Sequence, residues 1–154
     1  MSVQSESELL SKIPMFRDID MAKLRLLALS GRRITYRAGE VVFRENDQPD
    51  AVYVLLDGRV DIIREAAGGA GRVPLGQLET GTIFGETAVL CDRPRTATIE
   101  ASTDVTVIQI DRQTFTDVVR DVPQLALAIA RELALRLERM SERFATQPKD
   151  REQG

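Results

Sequence analysis

Histidine is missing altogether from this 154-residue chain, and cysteine occurs once, as Cys91. Without imidazole there is no histidine general base, and His-ligated zinc, copper and non-haem iron sites are excluded with it. One cysteine closes no intrachain disulfide and fits a reducing compartment. No apolar run approaches the ~20 residues of a spanning helix. The polar stretch from Met1 to Lys12 holds no apolar segment of signal-peptide length. A cytoplasmic protein with no membrane segment is therefore expected. Positive charge is also short: 21 Lys and Arg against 24 Asp and Glu leave a net charge of −3. That is the wrong sign for a protein whose main surface grips nucleic acid.

What is present suffices for a core. Apolar residues make up 43% of the chain, and a single domain of this length buries about 70% of the surface its unfolded chain exposes.

Residues 1–31 read as a helical segment. Ser5 and Glu8 have capping-box spacing ahead of Leu9, Leu10 and Ile13, and Pro14 interrupts the run. A second helix is predicted from Asp20 to Ser30, with Leu24, Leu27 and Ala28 facing inward and Gly31 as its stop. From residue 32 to 111 the pattern changes to short apolar, β-branched runs: Ile34–Tyr36, Val41–Phe43, Val52–Leu56, Val60–Ile63, Val73–Leu78, Thr96–Ile99 and Val105–Ile110, with Ile83-Phe84 as a further short piece. Turn residues separate them, and Asp57-Gly58 between two alternating runs is a hairpin signal. Such spacing, without long helices between, predicts a mainly β fold with flanking helices: an antiparallel, eight-stranded β-roll or jelly roll. The Gly68–Gly71 stretch is the connection that costs most to order.

Helical period returns in residues 112–144. Asp111 is a plausible N-cap, Phe115, Val118 and Val119 mark a short helix, and Pro123 suits the first turn of a longer one reaching about Phe144. Residues 145–154 read as a polar, flexible tail. On the long helix Ala126, Ala130, Leu133, Leu137, Met140 and Phe144 are spaced 4, 3, 4, 3, 4, an a/d seam. Either this face packs on the roll, or it meets a partner helix in a homodimer. Leu127 and Leu135 lie off the seam and make the helix apolar on two sides.

The chemistry-bearing stretch is Phe84–Ala97, FGETAVLCDRPRTA. A glycine followed by a short helix start leaves backbone N–H groups without helical partners, and these favour an anion. Arg95 can add a guanidinium, whose fork donates two parallel bonds to a phosphate. Glu86 would repel a phosphate, yet it fits a ligand that also carries a hydroxyl, as acidic residues accept from ribose. Phosphate and ribose together suggest a nucleotide. Taken alone, so short a pattern also fits a turn with an intradomain salt bridge.

Beyond this chemistry, the stretch resembles the phosphate-binding cassette of cyclic nucleotide-binding domains. The family signature is filled at Phe84, Gly85, Glu86, Ala88, Arg95, Thr96, Ala97 and Thr98-Ile99. The likeness extends to Ile13–Phe16, Ala38-Gly39-Glu40, Tyr53–Gly58 and the terminal helix pair, about residues 10 to 144. It implies a ligand, cAMP or cGMP, and no cofactor. By resemblance, Glu86 accepts the ribose 2′-hydroxyl. Arg95 pairs with the cyclic phosphate, with help from amides around Gly85, Thr87, Ala88, Thr96 and Ala97. Ile62 and Leu75 line the pocket for base and ribose. Arg136 matches an arginine that positions the glutamate or the base, and Ser141 matches a polar helix position that reaches the base. Thr96 resembles members in which that hydroxyl meets a guanine amino group, and members with this threonine also bind cAMP. Cys91, in the loop between Glu86 and Arg95, has no neighbouring Lys or His to activate it.

The ten residues after Phe144 are too few for a helix-turn-helix unit, so no direct DNA binding is expected; the chain reads as a free-standing sensor domain or as a sensor cut from a larger regulator, with an unknown downstream protein reading the signal. Two other readings compete with a non-enzymatic sensor. A cupin-like enzyme would need a His-rich metal site, which this composition denies. A structural dimerisation domain of the same fold, whose pocket no longer binds, would usually lack the Glu or the Arg of the cassette, and both are here.

Overall fold

The computed structural model describes residues 3–66 and 71–153, with side chains described for 6–66 and 71–142. Most of the Gly68–Gly71 connection, and the side chain of Phe144, therefore lie outside the described residues. Helix α1 (Val3–Ser11) leads through a 3-10 turn at Pro14–Phe16 into α2 (Met21–Ser30). Eight strands follow: β1 (Arg32–Tyr36), β2 (Val41–Phe43), β3 (Ala51–Asp57), β4 (Arg59–Glu65), β5 (Arg72–Glu79), β6 (Ile83–Phe84), β7 (Thr98–Ala101) and β8 (Val105–Asp111). Helix α3 (Glu86–Cys91) lies between β6 and β7, and α4 (Arg112–Asp121) and α5 (Pro123–Gln153) close the chain.

The strands form two four-stranded sheets in the orders β1-β8-β3-β6 and β2-β7-β4-β5. Every pairing is antiparallel. This is the expected β-roll with flanking helices. Strand β3 is buried on both faces because its side chains alternate. Ala51, Tyr53 and Leu55 point between the sheets, where they meet Val60, Phe84, Ile99 and Val107. Val52, Val54 and Leu56 point outward under the helices, against Leu10, Phe16, Leu24, Ile108, Phe115 and Ile129. One strand thus joins a roll core to a helical core.

The helix caps appear where their residue types place them. The Asp20 carboxylate accepts from the Lys23 amide at 3.2 Å. That of Asp111 accepts from the Thr114 amide at 2.9 Å and from its hydroxyl at 3.0 Å. Three boundaries differ from expectation. Helix α1 starts at Val3, so Ser5 lies inside it rather than at its cap. Strand β7 starts at Thr98 instead of Thr96. Before it, the chain bonds to the β2–β3 loop, with Arg95 N donating to the Asp47 carbonyl and Asn46 N to the Arg95 carbonyl. Helix α5 continues through Gln153, where a flexible tail was expected from Ala145. That stretch contains helix-compatible residues, Ala145, Lys149, Arg151 and Glu152 among them.

The long helix packs through Leu125, Ala128 and Ile129, with Val122 just before it, all buried. Of the a/d seam, Leu133 packs against the core's edge, while Leu137 and Met140 are 64% and 51% exposed. Among the described residues, no helix is long and apolar enough to cross a membrane.

Candidate functional site

The site is built where β6 ends. Pairing of Tyr53 with Phe84 and of Val54 with Ile83 fixes the strand, and the chain then turns through Gly85 with φ +80°. A side chain there would be strained and would also collide: an added Cβ would sit 2.8 Å from Arg95 Nη1 and 3.4 Å from the Phe43 ring. Glycine is required at this point by both backbone and space. Helix α3 begins at the next residue, and its first-turn amides have no carbonyl partners within the helix.

Arg95 is 2% exposed. Its Nη1 donates to the Gly85 carbonyl at 2.7 Å and its Nη2 to the Ala51 carbonyl. The guanidinium carbon lies 4.0 Å from the Phe43 ring centroid, a cation–π contact. The nearest carboxylate, that of the exposed Asp50, is 3.9 Å away. Burial pushes the guanidinium's pKa down, against the opposing pull of Tyr53, Asp50, Asp47 and Glu86. Its Nε is buried without a partner.

Glu86 is 1% exposed. Its Oε1 accepts from Arg136 Nη1 at 3.1 Å and from the Thr87 hydroxyl at 3.4 Å. Arg136 also donates from Nη2 to the Ile83 carbonyl at 3.0 Å, which ties α5 to the end of β6. Glu86 Oε2, like Arg95 Nε, is buried and unpartnered. A buried donor and a buried acceptor left without partners cost stability, and a ligand carrying both an anion and a hydroxyl relieves both.

Both residues line a cavity of about 240 Å³. Of the residues singled out from the sequence, Gly85, Glu86, Thr87, Ala88, Arg95, Thr96, Ile62 and Arg136 line it. Ala97 is buried beside it without lining it. Leu75 and Ser141 are not brought to the cavity: Leu75 is 53% exposed, and Ser141 is exposed on α5. The reason for Leu75 is alternation along β5: Leu78 lies opposite Val60 and Gly76 opposite Ile62 on the inward face, so Leu75, three residues from Leu78, falls on the other face, beside a register shift between Ile62 and Ile63. Leu78 therefore takes the inward place that Leu75 was expected to hold. Cys91 closes α3 and is exposed.

Phe43, Leu78 and Ile99 also line the cavity and were not anticipated as site residues. Phe43 had the weakest signal, as one apolar residue in a three-residue strand. Its ring lies 5.7 Å from Tyr53 and 6.2 Å from Phe84, and these two stack at 5.2 Å. The three rings make the apolar wall on which Arg95 rests.

Comparison with known proteins agrees with this geometry. Residues 33–121 match the family model described as Cyclic nucleotide-binding domain. The chain is 30% identical over 120 residues to the cAMP-dependent protein kinase regulatory subunit of Dictyostelium discoideum, covering 77% of this chain and 37% of that protein. It is 26% identical over 138 residues to a CRP-like cAMP-activated global transcriptional regulator of Mycobacterium tuberculosis, covering 90% and 61%. The chain thus spans less than two thirds of the length of each of these relatives. Among solved structures it is similar to the Thermus thermophilus Catabolite Activator Protein, with a TM-score of 0.76 and 26% identity over 88% of this chain and 63% of that one. The filled cassette, the β-roll around it and the match over residues 33–121 lead to one conclusion: the chain belongs to the cyclic nucleotide-binding domain family.

Proposed function

We propose that this domain is a cytoplasmic, non-catalytic sensor that binds cAMP or cGMP and reports occupancy through its C-terminal helices. The observation that carries this is the pairing of two unsatisfied groups, Glu86 Oε2 and Arg95 Nε, on buried residues that line one cavity. The ribose 2′-hydroxyl donates to Glu86. The cyclic phosphate accepts from Arg95 and from the amides at the start of α3, while Ile62, Leu78 and Ile99 offer apolar contact to ribose and base. Thr96 lines the cavity and is the residue whose hydroxyl can favour guanine. Both curated relatives described above carry cAMP in their names, which makes cAMP the first ligand to titrate.

Signal leaves the site through Arg136. One guanidinium holds both the ligand-binding carboxylate and the carbonyl of Ile83, so a shift of Glu86 toward a ribose hydroxyl moves the balance of forces on α5. A ligand shifts that helix only by its differential affinity for the two arrangements. The exposed seam residues Leu137 and Met140 are the surface available to a partner helix in a homodimer. The downstream receiver is an unidentified protein.

Isothermal titration of the nucleotide-stripped chain with cAMP and cGMP tests the reading. Arg95→Ala and Glu86→Ala are expected to weaken binding by about 1–3 kcal/mol each, as loss of a charge-assisted hydrogen bond implies. The 2′-deoxy cyclic nucleotide is expected to lose affinity in the wild type and not in Glu86→Ala. No binding to the wild type, or unchanged affinity in both variants, refutes the proposal.

A further inference from the structure

Outside the cassette lies a second cavity of about 450 Å³, lined by Arg64, Arg93, Asn46 and Glu45 and sharing Arg95 and Thr96 with the first. Its walls are fixed by bonds from several elements. Backbone bonds join Asn46 N to the Arg95 carbonyl and Arg95 N to the Asp47 carbonyl, and so fasten the β2–β3 loop to the cassette's tail. Glu45 N donates to the Thr98 hydroxyl at 2.9 Å. The Glu45 carboxylate is occupied at the β4 edge, where it accepts from the Glu65 amide at 3.0 Å. Arg93 is held by its amide, which donates to the Ala88 carbonyl at 3.0 Å.

The exposed Arg64 and Arg93 thus line an open groove together with one acid, Glu45, one of whose oxygens accepts from a backbone amide. The buried Arg95, with its unpartnered Nε, forms the boundary between this cavity and the inner one. Arginines on the outer side of a boundary that Arg95 itself forms suit an anion longer than a single phosphate. Guanidinium forks recognise phosphate oxygens pairwise, and a phosphoanhydride places two phosphates next to each other.

We infer that the outer cavity is a second phosphate subsite, which takes the terminal phosphate of a diphosphate whose inner phosphate sits on Arg95. The inference rests on the nucleotide reading of the inner site for its nucleoside part and extends that site to linear nucleoside diphosphates. At the inner site such ligands compete with a cyclic nucleotide, which has no phosphate to place outside. The same chemistry could come from free inorganic diphosphate, and the test separates the two.

The full chain is titrated with AMP, ADP, inorganic pyrophosphate and cAMP, as wild type and as Arg64→Gln/Arg93→Gln. ADP is expected to bind at least about tenfold more tightly than AMP, the gain of one good charge-assisted contact. That ratio falls to near one in the double variant, while cAMP affinity changes less than about twofold, because neither arginine lines the inner cavity. An ADP-to-AMP ratio near one in the wild type, or one that survives the double substitution, overturns the inference. If cAMP binds in that case, the cyclic nucleotide reading still stands. If no nucleotide binds, but pyrophosphate binds the wild type and not the double variant, the subsite stands for inorganic diphosphate and the sensor reading falls. The single variants repeat the test should the double variant fail to fold.

Discussion

Replacing Gly85 by alanine, with Gly39→Ala as its companion, separates backbone strain from crowding of Arg95. Both glycines have positive φ, +80° and +92°. A Cβ at Gly39 would meet nothing within 4 Å, whereas at Gly85 it would lie 2.8 Å from Arg95 Nη1. The left-handed conformation costs an alanine about 1–2 kcal/mol at either position. At Gly85 the guanidinium must also move, and it has little room, packed on Phe43 at 4.0 Å and bonded to the Gly85 and Ala51 carbonyls. Loss of one such bond to a charged group adds about 1.5–3 kcal/mol. Gly39→Ala is therefore expected to cost about 1–2 kcal/mol and Gly85→Ala about 2.5–5 kcal/mol. Urea unfolding gives both values, provided the denaturant slope is unchanged. Titration with the cyclic nucleotide should show weakened binding only for Gly85→Ala. Equal destabilisation of the two variants, or intact ligand affinity in Gly85→Ala, would refute the packing argument.

Two further outcomes follow from other contacts. A double-mutant cycle between Glu86→Gln and Arg136→Gln, read by thermal or urea unfolding, should give a coupling energy of about 1–3 kcal/mol. The carboxylate is buried while Arg136 remains part-exposed, which keeps the value below that of a fully buried pair; a coupling near zero would detach α5 from the site. Asp111→Ala should cost about 1 kcal/mol at neutral pH as a lost N-cap. The amide and hydroxyl of Thr114 hold the Asp111 carboxyl below its ordinary pKa of 3.8. Its contribution is thus complete above that pH and fades as pH falls through the lower folded value. Acid titration of the variant's stability against the wild type's checks this, and a difference that grows toward low pH would contradict it.

Features governed by neighbouring residues were readable in the chain. Asp20 and Asp111 cap helices because a carboxylate three residues ahead of an amide reaches it locally, and Pro123 opens α5 for an equally local reason. The Phe-Gly-Glu turn belongs to the same class: the glycine, the helix start and the buried glutamate lie within a few residues of one another. Alternating patterns announced the strands, and the absence of histidine removed whole classes of chemistry. Folding decided what depends on contacts distant in sequence. Phe43 underlies Arg95, and the Ala51 carbonyl accepts its hydrogen bond, across a separation of 44 residues in the second case. Arg136 reaches Glu86 over 50 residues. Tertiary contact also decided that Val122, Leu125, Ala128 and Ile129 take the core while the seam residues Leu137 and Met140 stay outside. Leu78 rather than Leu75 faces the cavity because the β4–β5 register pairs Leu78 with the inward-facing Val60, and alternation then turns Leu75 outward. In a strand a change of register by one residue exchanges inside for outside, and no local preference in the sequence marks which register the two strands will take.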